Sequence, residues 1–325
     1  MKNIIKLFSL LALISTFTLV SCGNPSPSPC PLDNSIDGNM TWTAVPNSTF
    51  GTSYIRAIAY GNGKFVAGGD SGKMAYSSDG ITWTAVANST FDTTAIYDIT
   101  WGSNKFVAVG NDGKMATSTD GVTWTTVANS TFVTNTITAI AWGGSRFVAV
   151  GWQGQTAYSS DGITWTAKNP DSIFTSIGGI NEIAYGNNKF VAVGTDQKIV
   201  YSSDGTSWTK VSDSKLTGII GSIAYGNGKF VAGSNYDDMA YSSDGINWTA
   251  VADSKLKGSI YAIEWGGNKF VAGSFSGKTA YSSDGITWTA ISNSTFGTSG
   301  INAIAYGNNR FVAVGQNGKM AYSSN

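Results

Sequence analysis

The stretch Ser77-Ser78-Asp79-Gly80-Ile81-Thr82-Trp83-Thr84 returns with small changes along the chain, its Asp recurring at Asp120, Asp161, Asp204, Asp244 and Asp284. The spacings are 41, 41, 43, 40 and 40 residues. A period of that length marks an array of supersecondary modules, either a propeller or a solenoid. About 285 residues fall in repeats, and a ring of them would form one body.

Each repeat carries four short strand signals. The first is Ile55-Arg56-Ala57-Ile58-Ala59-Tyr60, the second Lys64-Phe65-Val66-Ala67, the third Met74-Ala75-Tyr76-Ser77 and the fourth Thr82-Trp83-Thr84-Ala85-Val86. Gly61-Asn62-Gly63 joins the first pair, and Asn and Gly tolerate the positive φ of a two-residue hairpin. The Asp-Gly stretch joins the second pair. Four antiparallel strands per unit make one propeller blade.

Counting gives the size of the ring. The first three strands each occur seven times, but the last third strand, Met320 to Ser323, has no fourth strand after it. A spare fourth strand, Thr41-Trp42-Thr43-Ala44-Val45, precedes the first full unit. Pairing the two completes a seventh blade and removes the sheet edges that an open array would expose. The expectation is an all-β, seven-bladed propeller over residues 35–325, closed by the strand 41–45.

The repeated stretch resembles the Asp-box, or BNR, repeat of the sialidase superfamily, although Ser-x-Asp-Gly-x-x-Trp is one residue shorter than the usual form. The resemblance covers every blade. It implies a structural hairpin whose Asp accepts backbone N–H bonds and whose Trp packs between blades; both roles suit turn-forming Asp and Gly and a large ring. It implies little about activity, because propellers with the box include sialidases and also non-enzymatic photosystem II assembly factors.

Residues 1–21 form a signal peptide: Lys2 and Lys6, an apolar run from Leu7 to Val20, then Leu19-Val20-Ser21-Cys22. The last four residues resemble the lipobox of bacterial lipoproteins, which implies acylation of Cys22 and a place in the bacterial cell envelope, anchored to the membrane and extracytoplasmic. Residues 22–34 hold four of the six prolines and read as a tether. Within it, Cys30 is either a solvated thiol or the link of a disulfide-bonded dimer, and the thiol is the simpler reading; the chain is expected to be a monomer.

Composition narrows the chemistry. There is no His, only two Cys, and 20 basic residues balance 20 acidic ones without runs. His-based acid–base catalysis and His/Cys zinc sites are thereby excluded, no metal or other cofactor is expected, and no nucleic-acid footprint is present.

In a propeller both hairpins of a blade lie on one face of the disc. Here they are nearly identical in every repeat, whereas the other face varies. Of eleven Trp, seven belong to the box and three end first strands, which leaves Trp152. The same subtraction isolates Tyr54, Tyr97, Tyr236, Tyr261 and Phe275, all on the variable face. They are either drift in exposed loops or a recognition surface. The connections between blades end in Phe50, Phe91, Phe132, Phe174 and Phe296, with Leu216 and Leu256 in two blades, and that regularity argues for packing. Polar departures on the first, innermost strand are Arg56, Asp98, Glu182 and Glu264. The three carboxylates are either solvated channel groups or a convergent set.

Three functions compete. A non-catalytic binding propeller would present Tyr97, Trp152, Tyr236, Tyr261 and Phe275, with Arg56, to a glycan or protein, and would use Tyr236, Tyr261 and Phe275 as one patch for a protein. A glycoside hydrolase would use two of the channel carboxylates. A sialidase needs an arginine cluster, but Arg146 and Arg310 sit at a hairpin position on the other face and in separate blades. An assembly factor for a membrane complex would be expected to carry charged patches that this near-neutral chain lacks.

Overall fold

In a computed structural model the described residues are 40–168 and 179–324. The chain divides into two units, residues 1–38 and 39–325. The signal peptide, the tether, Cys22 and Cys30 lie outside the described residues, as does Phe174. Among the described residues no helix is long and apolar enough to cross a membrane.

The second unit consists of seven four-stranded antiparallel sheets. In blade 1 the strands Ile55–Gly61, Lys64–Gly69, Met74–Ser77 and Thr84–Ala85 follow one another from the inside outward. Blades 2 to 6 repeat that order, starting at Ile96, Ile137, Ile180, Ile220 and Ile260. Blade 7 has Ile301–Gly307, Arg310–Gly315 and Met320–Ser324, and its outer strand is Thr41–Ala44. Trp42 pairs with Ser323 and Ala44 with Ala321. The N–H of Val45 still donates to the Met320 carbonyl at 2.9 Å.

Local chemistry explains the hairpins. Asn62 (φ 45°) and Gly63 (φ 73°) both occupy the left-handed region that the tight turn between the first two strands requires. At the other hairpin one oxygen of Asp79 accepts the N–H groups of Ile81 and Thr82, each at 2.8 Å. Ser77 Oγ donates to the same oxygen at 2.8 Å and accepts the N–H of Gly80 at 2.8 Å. This capture turns the N–H groups of Ile81 and Thr82 inward to the carboxylate, and the fourth strand, expected over residues 82–86, pairs as Thr84–Ala85. The arrangement recurs at Asp120, Asp161, Asp204, Asp244 and Asp284. Backbone N–H donation from Thr164 and Ile163 holds the Asp161 carboxyl down at about 2.

The core is a set of slabs between blades. One slab joins Ala57, Val66 and Met74 of blade 1 to Ile96, Phe106 and Trp124 of blade 2. The connecting residues Phe50, Phe91, Phe132, Phe296, Leu216 and Leu256 are all buried. Around the hairpin face, the aromatic residue ending each first strand lies on the glycine of the preceding blade. A Cβ at Gly226 would be 2.0 Å from Cγ of Trp265, and one at Gly307 would be 2.1 Å from Cγ of Tyr60.

Candidate binding site at the channel mouth

The site begins with an irregularity that every blade shares. Ile55 pairs with Gly69 and Ala57 with Gly68, so Arg56 is left over as a bulge. The same skip occurs in the other six first strands. A bulge re-aims the extra side chain. Here it turns one residue per blade, Arg56, Tyr97, Thr138, Asn181, Gly221, Tyr261 and Asn302, to the mouth of the central channel, and all seven line one cavity of about 480 Å³.

Three of the seven stitch the ring together. Thr138 Oγ1 donates to the Ile180 carbonyl at 2.6 Å, Asn181 Nδ2 to Ile220 at 3.0 Å and Asn302 Nδ2 to Ile55 at 2.8 Å, each in the next blade. Arg56, Tyr97 and Tyr261 depart from that pattern. Arg56 Nε lies 2.5 Å from Asp70 Oδ1. Its guanidinium also lies over Tyr97, 5.1 Å from the ring centroid, and over Tyr54 at 5.9 Å. The charge is thus paired and stacked.

Tyr54, Trp152 and Phe275 form the walls above the ring. Trp152 is 54% exposed and Phe275 50%. Tyr261 and Phe275 meet edge to face, with centroids 5.9 Å apart at 84°. Tyr261 has room because blade 5 carries glycine at its bulge: a Cβ on Gly221 would sit 2.7 Å from Tyr261 Cδ1. Gly300 serves Phe275 likewise, at 3.0 Å.

Of the expected aromatic set, Tyr236, 65% exposed, is not among the residues that line this cavity. It packs over Gly218, held by a bond from its N–H to Ser234 Oγ at 3.1 Å, and Ile219 lines the mouth instead. The residues that the repeat template does not single out are Asp70, Thr138, Asn181, Asn302 and Gln316. For Thr138, Asn181 and Asn302 the signal was positional: three of the seven bulge positions carry a short polar residue that looks like ordinary variation until the bulge turns it inward.

Below the mouth the channel is lined by one isoleucine from each blade and by Asp98, Glu182 and Glu264, so the three carboxylates do converge on one space. Asp98 accepts the N–H of Ile99 at 2.7 Å and, across the blade junction, that of Ile140 at 2.8 Å. Ser222 has the same place in blade 5 and accepts from Ile263 at 3.1 Å. Glu182 also occupies this place but, among the described residues, accepts only from Ile183, at 3.2 Å. Glu264 stands two residues further along its strand. Each carboxylate is half-buried, reached by the channel on one side and desolvated by the protein packed around it on the others. That desolvation raises Asp98 to about 7 and Glu264 to about 8, and it raises Glu182 well above the ordinary carboxyl value, with added repulsion from Asp98 and Glu264. Among the described residues none of the three forms an ion pair, and no group of His, Cys, Asp and Glu is placed to hold a metal ion.

The arrangement can grip a ring or a chain at the mouth and can offer carboxyl groups beneath it. Comparison with known proteins supports the architecture. The family model described as DUF6242 beta propeller domain matches residues 32–132. No curated protein matches the sequence. YCF48 from Cyanidioschyzon merolae superposes with a TM-score of 0.68 at 18% identity, covering 86% of this chain and 98% of that one. YCF48 bound to D1 peptide gives 0.70 at 16% identity, covering 88% and 97%. A catalytically inactive histidine-to-alanine variant of virginiamycin B lyase from Staphylococcus aureus, with quinupristin, gives 0.72 at 11%, covering 88% and 99%. At these identities the likeness establishes the fold they share, a propeller of closed blades, and this chain is a seven-bladed member of that architecture.

Proposed function

We propose that this chain is a non-catalytic binding propeller, held at the extracytoplasmic side of a bacterial membrane by lipidated Cys22, that receives a protein or glycan at the channel mouth. One observation carries the reading: Tyr54, Tyr97, Trp152, Tyr261 and Phe275, none demanded by the repeat, gather with Arg56 around a single cavity. Aromatic rings on a rigid frame lose little entropy on contact and dominate recognition surfaces. A protein ligand has the further support that YCF48, of the same fold, is known bound to a peptide. The hairpins captured by Asp79 and its repeats agree with kinship to Asp-box propellers, whose box serves structure. The test is a binding screen of the full chain against surface extracts and glycans, repeated with Trp152→Ala and with Tyr261→Ala/Phe275→Ala. Both variants are expected to lose about tenfold or more in affinity, as aromatic hot spots do. Unaltered binding in both would place the site elsewhere.

A second reading has its own support. Asp98, Glu182 and Glu264 line one channel with raised proton affinities, as an acid catalyst requires, and a glycoside hydrolase would need two of them. The lyase in the comparison loses activity with one histidine, and this chain has none. Sugar turnover abolished by Glu182→Gln would favour the hydrolase over the binding propeller.

A further inference from the structure

The mouth and the channel beneath it meet at a neck. Arg56, Tyr97, Glu182, Tyr261 and Asn302 line both spaces, so a group that enters beside the tyrosines comes to the Glu182 side chain. We propose that this neck takes the cationic side chain of a protein partner, a lysine or arginine, whose stem lies against Tyr97 and Tyr261 and whose charge ends at Glu182. The inference rests on the binding reading above and specifies its ligand.

Four features of the neck lead there. The faces of aromatic rings attract cations, and Tyr97 already holds one, the Arg56 guanidinium at 5.1 Å. That guanidinium is matched by Asp70, which leaves the carboxyl groups below as the unbalanced charge. Glu182 occupies the place from which Asp98 and Ser222 bond to the next blade, yet its only side-chain hydrogen bond described comes from the Ile183 N–H. Its function as an interblade tie is therefore the weakest of the three, and it remains able to serve a ligand. Finally, the residues shared by the two spaces put two tyrosines beside a carboxyl, an arrangement that suits an alkyl stem with a charged tip.

The groups facing Glu182 set the pH dependence. They are Asp98 and Glu264 on the first strands of blades 2 and 6, Tyr97 and Tyr261 at the neck, the Arg56–Asp70 pair of blade 1, and the neutral Ser222 and Asn302. At low pH the three carboxyls carry protons and a cation gains little. As pH rises through their raised range they ionise, while a lysine ammonium stays charged to about pH 10. Binding therefore strengthens with pH and releases protons.

The experiment titrates the full chain, purified in detergent, with a capped pentapeptide centred on lysine, with its norleucine counterpart, and with glucosamine. At about pH 8.5 the lysine peptide is expected to bind about tenfold or more tightly than the norleucine peptide, a typical effect of a close charge pair. That advantage should shrink to a few-fold near pH 5.5 and vanish in Glu182→Gln, while Glu182→Asp keeps part of it. Equal binding of the two peptides, an advantage that survives Glu182→Gln, or selective binding of glucosamine alone would each overturn the inference. If Trp152→Ala and Tyr261→Ala/Phe275→Ala weaken binding while Glu182→Gln does not, the binding mouth stands and only the cation inference falls. If none of the three weakens it, both fall.

Discussion

Single residues in this ring answer to close contact or to charge. Gly226 is an example of contact: its missing Cβ is the seat of the Trp265 ring in the next blade, 2.0 Å from where that atom would be. Gly226→Ala must push the ring or the hairpin aside, and overpacking of this kind costs about 1–3 kcal/mol, readable as a lowered melting temperature or denaturant midpoint. Charge acts through pH, with opposite signs at two sets of carboxyls. Asp98 and Glu264, raised from 3.8 and 4.5 to about 7 and about 8, bind protons more tightly folded than unfolded. Their contribution is complete at pH values below the unfolded values and declines as pH rises toward the folded ones. Asp161, lowered from 3.8 to about 2, contributes above 3.8 and loses that contribution as pH falls to about 2. Thermal stability is thus expected to peak near about pH 4–5, with a decline on the alkaline side that Glu264→Gln flattens. A melting temperature that rises steadily from pH 5 to 8 would contradict the buried placement of these carboxyls.

At the scale of strands and turns, legibility depended on repetition. The hairpins could be read because Asn62-Gly63 and Ser77 to Trp83 have a local cause, a positive φ or a side chain that bonds its own turn, and each occurs many times. The bulge could not. Nothing in Ile55-Arg56-Ala57 announces that Arg56 drops out of the pairing, because the skip belongs to the register with the partner strand, where the consecutive residues Gly68 and Gly69 face Ala57 and Ile55. For that reason the aromatic set was visible as departures from template, but its geometry was not: Tyr97 and Tyr261 sit on bulges and reach the mouth, whereas Tyr236 sits in a loop and turns over Gly218. The box makes its own prediction. Asp161→Ala leaves the N–H groups of Ile163 and Thr164 without their 2.8 Å acceptor and is expected to cost about 1–2 kcal/mol, the range for losing a capping side chain. Because this hairpin is far from the mouth, ligand affinity should stay unchanged while the denaturant midpoint falls.

The molecule as a whole is a ring whose last joint is made by contacts 247 to 270 residues apart, and the joint repeats contacts found at others. Asn302 Nδ2 donates to Ile55 as Asn181 does to Ile220, Ser48 Oγ donates to the Gly318 carbonyl as Ser89 does to Gly72, both at 2.6 Å, and Tyr60 lies on Gly307 as Trp101 lies on Gly61. Trp42 then fills the outer part of blade 7, buried among Ala262 and Val271 of blade 6. A propeller with one open joint would expose two sheet edges and the slabs beside them, so closure should govern the stability of all seven blades together. Trp42→Ala is expected to cost about 3–5 kcal/mol, as large buried aromatic truncations do. Deletion of residues 35–45 should cost more and should raise amide exchange along Met320–Ser324, where the partners of Thr41–Ala44 lose their pairing. The channel mouth is encircled by residues of all seven blades, so the same deletion is expected to weaken ligand binding although no residue of the mouth is removed. A deletion variant with the melting temperature, exchange pattern and affinity of the intact chain would show that the seventh blade holds without its outer strand.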